Sequence, residues 1–198
     1  LKEAERSFDI VIMDDGFQDY KIIKNLNILC FNGNQLIGNG YIFPAGPLRE
    51  SLSALKKAQI ILINGPENKK FEEKILKINQ NLCIFYSEYK PVNINQFREK
   101  KLLAIAGIGN PENFFKLISQ YNLKIERKMV FPDHYSFSFN QIKKIVEEAK
   151  KENLQIITTE KDYYKIKEFN INEIEYLKVD LVINKKKEFL NKLQEYYD

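Results

Sequence analysis

Short, continuous runs of apolar and β-branched residues alternate with longer polar, helix-prone stretches along most of this chain. Such runs are typical of strands that are buried on both faces, as in a parallel sheet covered by helices. The alternation therefore predicts an α/β protein built from βαβ units. Strands are predicted at Ile10–Met13, Asn27–Phe31, Ile60–Asn64, Leu82–Tyr86, Leu102–Ile105, Ile125–Val130, Gln155–Thr158 and Tyr176–Ile183. Helices are predicted at Ser51–Ala58, Glu67–Asn79, Pro111–Tyr121, Asn140–Glu152, Asp162–Lys167 and Lys185–Tyr197.

A break in this pattern indicates two structural parts. The segment YKPVNINQFREKK, residues 89–101, combines a proline with many polar residues, which is typical of a domain boundary. We place the boundary between residues 96 and 97. Residues 1–96 are expected to hold the later strands of a doubly wound parallel sheet. Residues 97–198 are expected to form a smaller α/β unit of a size that folds alone.

The overall charge argues against one class of partner. The chain has 31 basic and 27 acidic residues, for a net charge of +4. This excess is too small to indicate nucleic-acid binding, and it is compatible with anionic substrates or an anionic membrane surface. No apolar stretch approaches the roughly 18 residues that a membrane-spanning helix needs.

Two adjacent aspartates, Asp14 and Asp15, follow the first predicted strand, and Gly16 allows the backbone to turn there. In an open parallel sheet, ligands bind outside the carboxyl ends of the strands. A carboxylate pair at that point is suited to hold Mg²⁺ against a phosphate. The alternative is that both residues only start a turn or cap a helix.

A glycine- and proline-rich loop ends in PAGPLRE, residues 44–50. Its length and composition are those of a structured functional loop. Arg49 is suited to neutralise a phosphate, and Glu50 to supply a further oxygen ligand to Mg²⁺. A surface ion pair, or an acidic first turn of the helix that follows, explains the same residues.

His134 is the only histidine and lies in FPDHYSFS, residues 131–138, between Asp133 and Tyr135. A neighbouring carboxylate can set the tautomer of an imidazole, so a catalytic role and a structural role both stay open. Two more motifs follow predicted strands: AGIGNP at residues 106–111 and TTEKD at residues 158–162. The first could accept an anion at a helix start, although the full GxGxxG pattern is absent. The second offers hydroxyls, a lysine and two carboxylates, and a helix N-cap explains it equally well.

The order of these motifs resembles that of the tetraacyldisaccharide 4'-kinases of lipid A biosynthesis. The resemblance runs from Phe8 to Asp162, through DDGFQ, PAGPLRE, AIAGIGNPENFF, FPDHYSFS and TTEKD. It implies a P-loop-kinase-like parallel-sheet lobe joined to a smaller α/β lobe. It also implies that ATP and Mg²⁺ are used to phosphorylate the 4'-hydroxyl of a tetraacylated glucosamine disaccharide 1-phosphate. The resemblance further implies a peripheral protein at the cytoplasmic face of the bacterial inner membrane.

The resemblance also implies roles for residues of the first lobe. Asp14 and Asp15 match Walker-B-like carboxylates, with Asp15 the favoured direct or water-mediated partner of Mg²⁺. Gln18 matches a glutamine near the nucleotide and the metal. Arg49 matches an active-site arginine suited to charge on the transferred phosphoryl group, and Glu50 matches its acidic neighbour at the metal.

In the second lobe, His134 matches a histidine that pairs with an aspartate of the first lobe to activate the sugar hydroxyl. The sequence departs from the family at three places. Asp19 stands where the family usually has a histidine, the GxxxxGK[ST] loop that cradles phosphates is absent, and so is the aspartate that would pair with His134.

These departures lead us to expect the carboxyl-terminal two-thirds of such a kinase, inactive alone. We also expect a monomer. Two other hypotheses stay open at this point. One is a non-catalytic relative that binds a nucleotide or an anionic lipid. The other is an unrelated P-loop-type NTPase, which has no need for both PAGPLRE and FPDHYSFS.

Overall fold

A computed structural model describes residues 4–197 of the chain. Within that range there are eight strands and five α-helices, together with short 3-10 helices. The strands are β1 (Ile28–Asn32), β2 (Ile60–Asn64), β3 (Cys83–Pro91), β4 (Lys101–Ala106), β5 (Lys124–Val130), β6 (Gln155–Thr159), β7 (Ile174–Leu177) and β8 (Val179–Ile183). The α-helices are α1 (Lys69–Leu76), α2 (Pro111–Gln120), α3 (Phe139–Lys151), α4 (Glu160–Ile166) and α5 (Lys186–Gln194).

The chain divides into two compact units. The first contains the described residues up to Tyr89 and those from Leu181 onward, and the second runs from Lys90 to Asp180. The predicted boundary assigns every residue after 96 to the second part. The carboxyl-terminal segment instead returns to the first unit, because β8 lies beside β3 in the first sheet.

The first unit is built on a four-stranded sheet of order β1-β2-β3-β8, in which β1, β2 and β3 run parallel. Side chains of β2 alternate between two apolar clusters, as the twofold period of a strand requires. Ile61 and Ile63 belong to a cluster with α1, and Ile60 and Leu62 belong to a cluster with α5. Helices therefore cover the central strand on both faces.

The second unit has a sheet of order β5-β4-β6-β7, in which every neighbouring pair is parallel. Leu103 and Ile105 of β4 belong to a cluster that includes apolar residues of α3. Leu102, Ala104 and Ala106 belong to a second cluster, with α2. The carboxyl ends of the parallel strands β4, β5 and β6 lie at one edge of this sheet, and the loops that leave them carry the motifs of interest.

The predicted α/β class with parallel sheets is confirmed. Six of the eight predicted strand segments each match one observed strand, and the helix predictions from α1 to α5 overlap the observed helices. Ser51–Ala58, predicted as a helix, forms a short 3-10 helix at Leu52–Lys57. No helix within residues 4–197 has the length and apolar character needed to cross a membrane.

Two strand predictions are wrong in part or in full. Residues 10–13 form no regular secondary structure, and Ile12 is 90% exposed. A strand needs a paired neighbour for its backbone hydrogen bonds, and in the described part of the chain β1 pairs with β2 rather than with this run. The predicted strand Tyr176–Ile183 is two strands, β7 and β8, which join different sheets.

Candidate functional site

The DDGFQ motif forms a turn around an ammonium group. Lys24 donates from Nζ to the carbonyl oxygens of Gly16, Phe17 and Asp19 at 2.8, 3.2 and 2.7 Å. Three carbonyl acceptors satisfy all three donors of a lysine. Asp15 has φ of 52°, in the left-handed region that non-glycine residues rarely adopt. Lys24 is not predicted as a site residue, since nothing in the local sequence pattern marks it.

Arg49 connects the PAGPLRE motif to this turn. Its Nη1 donates to Oδ1 and Oδ2 of Asp15 at 2.6 and 2.8 Å, across 34 residues of sequence. Both side chains stay open to solvent, with exposed fractions of 65% and 67%. The hydrogen bond from Arg49 to Asp15 raises the pKa of the guanidinium. The structure thus brings together two motifs for which the sequence predicts a common role in binding phosphate and Mg²⁺.

Glu50 belongs to the same site through a tyrosine. The hydroxyl of Tyr20 donates to Oε2 of Glu50, and this carboxylate raises the pKa of the tyrosine. The Nζ of Lys57 lies 3.6 Å from the centre of the Tyr20 ring, which is cation–π geometry. Glu50 precedes the 3-10 helix, whose first turn has no acidic residue. The alternative of an acidic first helical turn is therefore wrong.

Gln18 and Asp19 complete the turn. Gln18 is half-buried, and its carbonyl accepts the N–H of Tyr20 at 3.0 Å. Oδ1 of Asp19 accepts the N–H of Lys21 at 3.1 Å, two residues on, as in an Asx-turn. Asp19 thus has a local structural role.

Magnesium fits the donor chemistry of these residues, because it prefers carboxylate oxygens. Among residues 4–197, no three histidine, cysteine or acidic side chains come together as a metal site. Arg49 donates a hydrogen bond to Asp15, and Tyr20 donates one to Glu50. Mg²⁺ commonly takes one or two protein carboxylates and completes its shell with phosphate and water oxygens. These carboxylates fit an ion that binds together with a phosphate group, rather than one that the protein alone coordinates.

In the second unit, His134 lies in a turn after β5 and has φ of 58°. Its backbone N–H donates to Oδ1 of Asp133 at 2.9 Å, and Nζ of Lys161 donates to the same oxygen at 3.2 Å. Lys161 lowers the pKa of Asp133. The imidazole Nε2 lies 3.8 Å from Oδ2 of Asp133, beyond hydrogen-bond distance. The neighbouring carboxylate therefore holds the backbone of His134, not its ring.

Asp162 of TTEKD is fully buried. Its Oδ2 accepts the N–H of Gly107 and the hydroxyl of Thr159, both at 2.8 Å, and its Oδ1 accepts Nζ of Lys165 at 2.9 Å. Thr159 caps α4 by accepting the N–H of Asp162 at 3.1 Å. The N-cap interpretation of this motif is confirmed, and Asp162 also ties it to AGIGNP.

The predicted site residues thus fall into two groups, one in each unit. Asp14, Asp15, Gln18, Arg49 and Glu50 belong to the first unit, and His134 belongs to the second. Within the first group, the structure shows the Arg49–Asp15 contact. The chemical roles of all six residues stay predictions.

Comparison with known proteins identifies one family. A family model described as tetraacyldisaccharide-1-P 4'-kinase matches residues 1–198. A tetraacyldisaccharide 4'-kinase of Pelagibacter ubique is 41% identical over 197 residues, covering 98% of this chain and 63% of the relative. That of Haemophilus influenzae is 32% identical, covering 100% of this chain and 57% of the relative. The chain therefore spans about six-tenths of the length of these curated relatives.

One solved structure has a similar fold. It is the crystal structure of LpxK from Aquifex aeolicus in complex with ATP, with a TM-score of 0.65 and 20% sequence identity. The likeness covers 92% of this chain and 56% of that one. At this identity the likeness shows the fold alone.

Proposed function

Because this chain belongs to the tetraacyldisaccharide 4'-kinase family, we propose that it is part of an enzyme that phosphorylates a lipid. The acceptor is the 4'-hydroxyl of a tetraacylated glucosamine disaccharide 1-phosphate, and the donor is ATP. The match of the family model to all 198 residues carries this proposal. It also disfavours an unrelated P-loop NTPase.

Arg49 is the proposed stabiliser of the transferred phosphoryl group. Phosphoryl transfer needs little covalent chemistry from the protein, so catalysis rests on positioning and on charge stabilisation. The guanidinium is exposed and held beside Asp15. A planar guanidinium matches phosphate oxygens in a bidentate manner. In this proposal the contact with Asp15 orients Arg49 before the nucleotide is bound.

Asp14 and Asp15, with Glu50 as a further oxygen donor, are the proposed holders of Mg²⁺. When bound, the ion neutralises charge on the phosphate oxygens. Gln18 is proposed to lie near the nucleotide, since it is in the same turn as the carboxylates. Lys24 fixes that turn through three carbonyl oxygens, so it supports these side chains without needing to contact the nucleotide.

His134 is the proposed acceptor of the proton from the sugar hydroxyl. Its side chain is 78% exposed, so its ring nitrogens are open to a substrate. A histidine is suited to this step because its ordinary pKa lies near the working pH. Since the acceptor is a lipid, we propose that the protein works as a peripheral monomer on the cytoplasmic face of the bacterial inner membrane.

The test is a transfer assay with two proteins. One is the product of the complete reading frame that contains this chain, and the other is the 198-residue chain. We expect the first to transfer ³²P from γ-labelled ATP to tetraacyldisaccharide 1-phosphate in the presence of Mg²⁺, with the new phosphate at the 4'-position by mass spectrometry. We expect negligible transfer by the second, which has no GxxxxGK[ST] loop.

Two outcomes would contradict parts of this proposal. If the complete product transfers no phosphate where the Pelagibacter ubique relative does, the protein is a non-catalytic relative. If the 198-residue chain transfers phosphate at a comparable rate, the expectation of a partial nucleotide site is wrong.

A further inference from the structure

Two motifs without a role in the proposed chemistry, AGIGNP and TTEKD, meet the loop that carries His134. β4 ends at Ala106, β5 at Val130 and β6 at Thr159, and β4 pairs in parallel with both of the others. Their following loops therefore leave the sheet at one edge. The N–H of Phe131 donates to the carbonyl of Ala106 at 2.8 Å, which joins the first two loops directly.

Glycines allow these loops to approach closely. A Cβ at Gly109 would lie 3.2 Å from Oδ2 of Asp133, and a Cβ at Gly107 would lie 3.5 Å from the carbonyl oxygen of Pro132. The first distance is shorter than an ordinary van der Waals contact. The glycine loop therefore approaches Asp133 on the side of Oδ2, where a side chain at position 109 would press on the carboxylate.

Lys161 confines the other oxygen of the same carboxylate. Its Nζ lies 3.2 Å from Oδ1 of Asp133, the oxygen that accepts the N–H of His134 at 2.9 Å. Lys161 itself is anchored, because the next residue, Asp162, is fully buried and accepts the N–H of Gly107. A chain of contacts thus runs from a buried carboxylate to the backbone of His134.

His134 needs such a restraint. Its φ of 58° is in the left-handed region, where a non-glycine residue is strained and persists only when its surroundings hold it. The side chain is exposed, and the structure shows Asp133 as a hydrogen-bond acceptor for its backbone N–H. The direction of the imidazole therefore depends on how firmly Asp133 is held.

We propose that Lys161, acting through Asp133, is a positioning residue for His134. The proposal rests on the proposed function, in which His134 accepts the proton of the sugar hydroxyl. Without Lys161, the Asp133 carboxylate is free to rotate and the backbone of His134 leaves its conformation. Substrate binding is unaffected and the proton-transfer step is slowed, because a small misplacement of a reacting group lowers the rate strongly.

The kinetic test uses variants of the complete reading-frame product. We expect Lys161→Ala to lower kcat by about 10- to 100-fold with KM within about twofold of wild type. Lys161→Arg should restore most of kcat, since arginine also donates to a carboxylate. The matched control is Lys150→Ala, which breaks the 2.5 Å ion pair of Lys150 with Glu173, at similar exposure and in the same unit. This control should keep both constants.

A second variant, Gly109→Ala, disturbs the Asp133 carboxylate without changing the charge of any residue. Gly109 has no left-handed φ, so alanine fits its backbone, but the new methyl group would press on Oδ2 of Asp133. We expect Gly109→Ala to lower kcat in the same selective way. A melting temperature equal to that of wild type for both variants separates positioning from unfolding.

A readout independent of activity comes from the sole histidine. In the 198-residue chain, the imidazole signals of His134 are the only ones of their kind in an NMR spectrum. We expect Lys161→Ala to move both these signals and the His134 amide signal, and Lys150→Ala to leave them in place. Unmoved His134 signals in Lys161→Ala would overturn the proposal, whatever the activity.

The kinetic outcomes separate this inference from the proposed function. If His134→Ala abolishes transfer while Lys161→Ala keeps the wild-type kcat, the positioning role is wrong and the proposed function stands. If His134→Ala keeps the wild-type kcat, the role of His134 in the proposed function is wrong, and the positioning role goes with it. If Lys161→Ala lowers the melting temperature together with kcat, the lysine is merely structural and the positioning role is wrong.

Discussion

One nitrogen of Arg49, Nη1, is shared between the two carboxylate oxygens of Asp15, at 2.6 and 2.8 Å. Both side chains are about two-thirds exposed, and solvent-exposed ion pairs contribute little to stability. The pair therefore contributes little to the fold, and the proposed function assigns both residues to a shared ligand.

We therefore predict that Arg49→Ala separates activity from stability. In the complete reading-frame product, kcat should fall by about 100- to 1000-fold, the range for removal of one group that stabilises the transition state. The urea midpoint of unfolding should equal that of wild type. The control is Arg127→Ala, which breaks ion pairs of 3.0 and 2.9 Å with Glu148 and Glu152 and should keep kcat. A lowered midpoint with unchanged kcat in Arg49→Ala would assign the pair to the fold.

Lys24 gives a second prediction, because it holds the DDGFQ turn through three carbonyl oxygens. Lys24→Met keeps the apolar length of the side chain and removes the donors. We expect a loss of about 1.5–3 kcal/mol in the free energy of unfolding, as for hydrogen bonds to a charged group, measured by urea denaturation. Lys21→Met, at an exposed neighbour, should stay within about 0.5 kcal/mol of wild type. Equal effects of the two variants would contradict the structural role of Lys24.

Elements whose signal is local could be predicted from the sequence. β2 has the predicted bounds Ile60–Asn64, because a short apolar run flanked by polar residues identifies a buried strand. α2 begins at Pro111 as predicted, since proline is favoured at a first helical position. The contact of Arg49 with Asp15 agrees with the prediction that both residues serve one phosphate–metal site, and that role stays a prediction.

Features that depend on a distant partner could not be predicted. The run at residues 10–13 has the composition of a strand, yet a strand forms only where another backbone pairs with it. The residues of Tyr176–Ile183 form one apolar pattern, but that pattern does not say which sheet each half joins. Lys24 binds backbone carbonyl oxygens, which every residue has. The residue types of the turn therefore do not indicate that a lysine binds there.

The failed strand prediction leads to a third prediction, on the stability of the 198-residue chain. Ile12 is 90% exposed and Ile61 is fully buried. We expect Ile12→Ala to change the free energy of unfolding by less than about 0.5 kcal/mol and Ile61→Ala to lower it by about 2–5 kcal/mol. Urea denaturation followed by circular dichroism measures both. A loss above about 2 kcal/mol in Ile12→Ala would show that residues 10–13 are buried after all.

Asp162 gives a fourth prediction, since its carboxylate is fully buried and accepts three hydrogen bonds from other residues. Asp162→Ala leaves the N–H of Gly107 without its acceptor, and an unsatisfied buried donor is costly. We expect a loss of about 2–4 kcal/mol in the free energy of unfolding. Asp180→Ala, at an exposed position of β8, is the control and should lie within about 0.5 kcal/mol of wild type. A similarly small loss in Asp162→Ala would show that Asp162 does not hold the loops together.

Tyr86 makes the stability of the first unit depend on pH in the alkaline range. Burial raises the pKa of its phenol to about 12. The hydroxyl accepts the N–H of Asn68 at 3.0 Å and donates to Oε1 of Glu72 at 2.6 Å. The unfolded chain releases this proton near the ordinary value of about 10. Between these two values the folded state binds more protons than the unfolded state, so the free energy of unfolding decreases as pH rises.

The fifth prediction compares the pH dependence of wild type with that of Tyr86→Phe. The stabilisation due to the phenol is complete below pH about 10 and is lost as pH approaches about 12. Between pH about 9 and about 11, wild type should lose about 1 kcal/mol more than Tyr86→Phe, by urea denaturation at each pH. Glu72→Gln should retain most of the wild-type dependence, because burial is the largest cause of the raised pKa. Parallel curves for wild type and Tyr86→Phe would mean that Tyr86 ionises with the same pKa in both states.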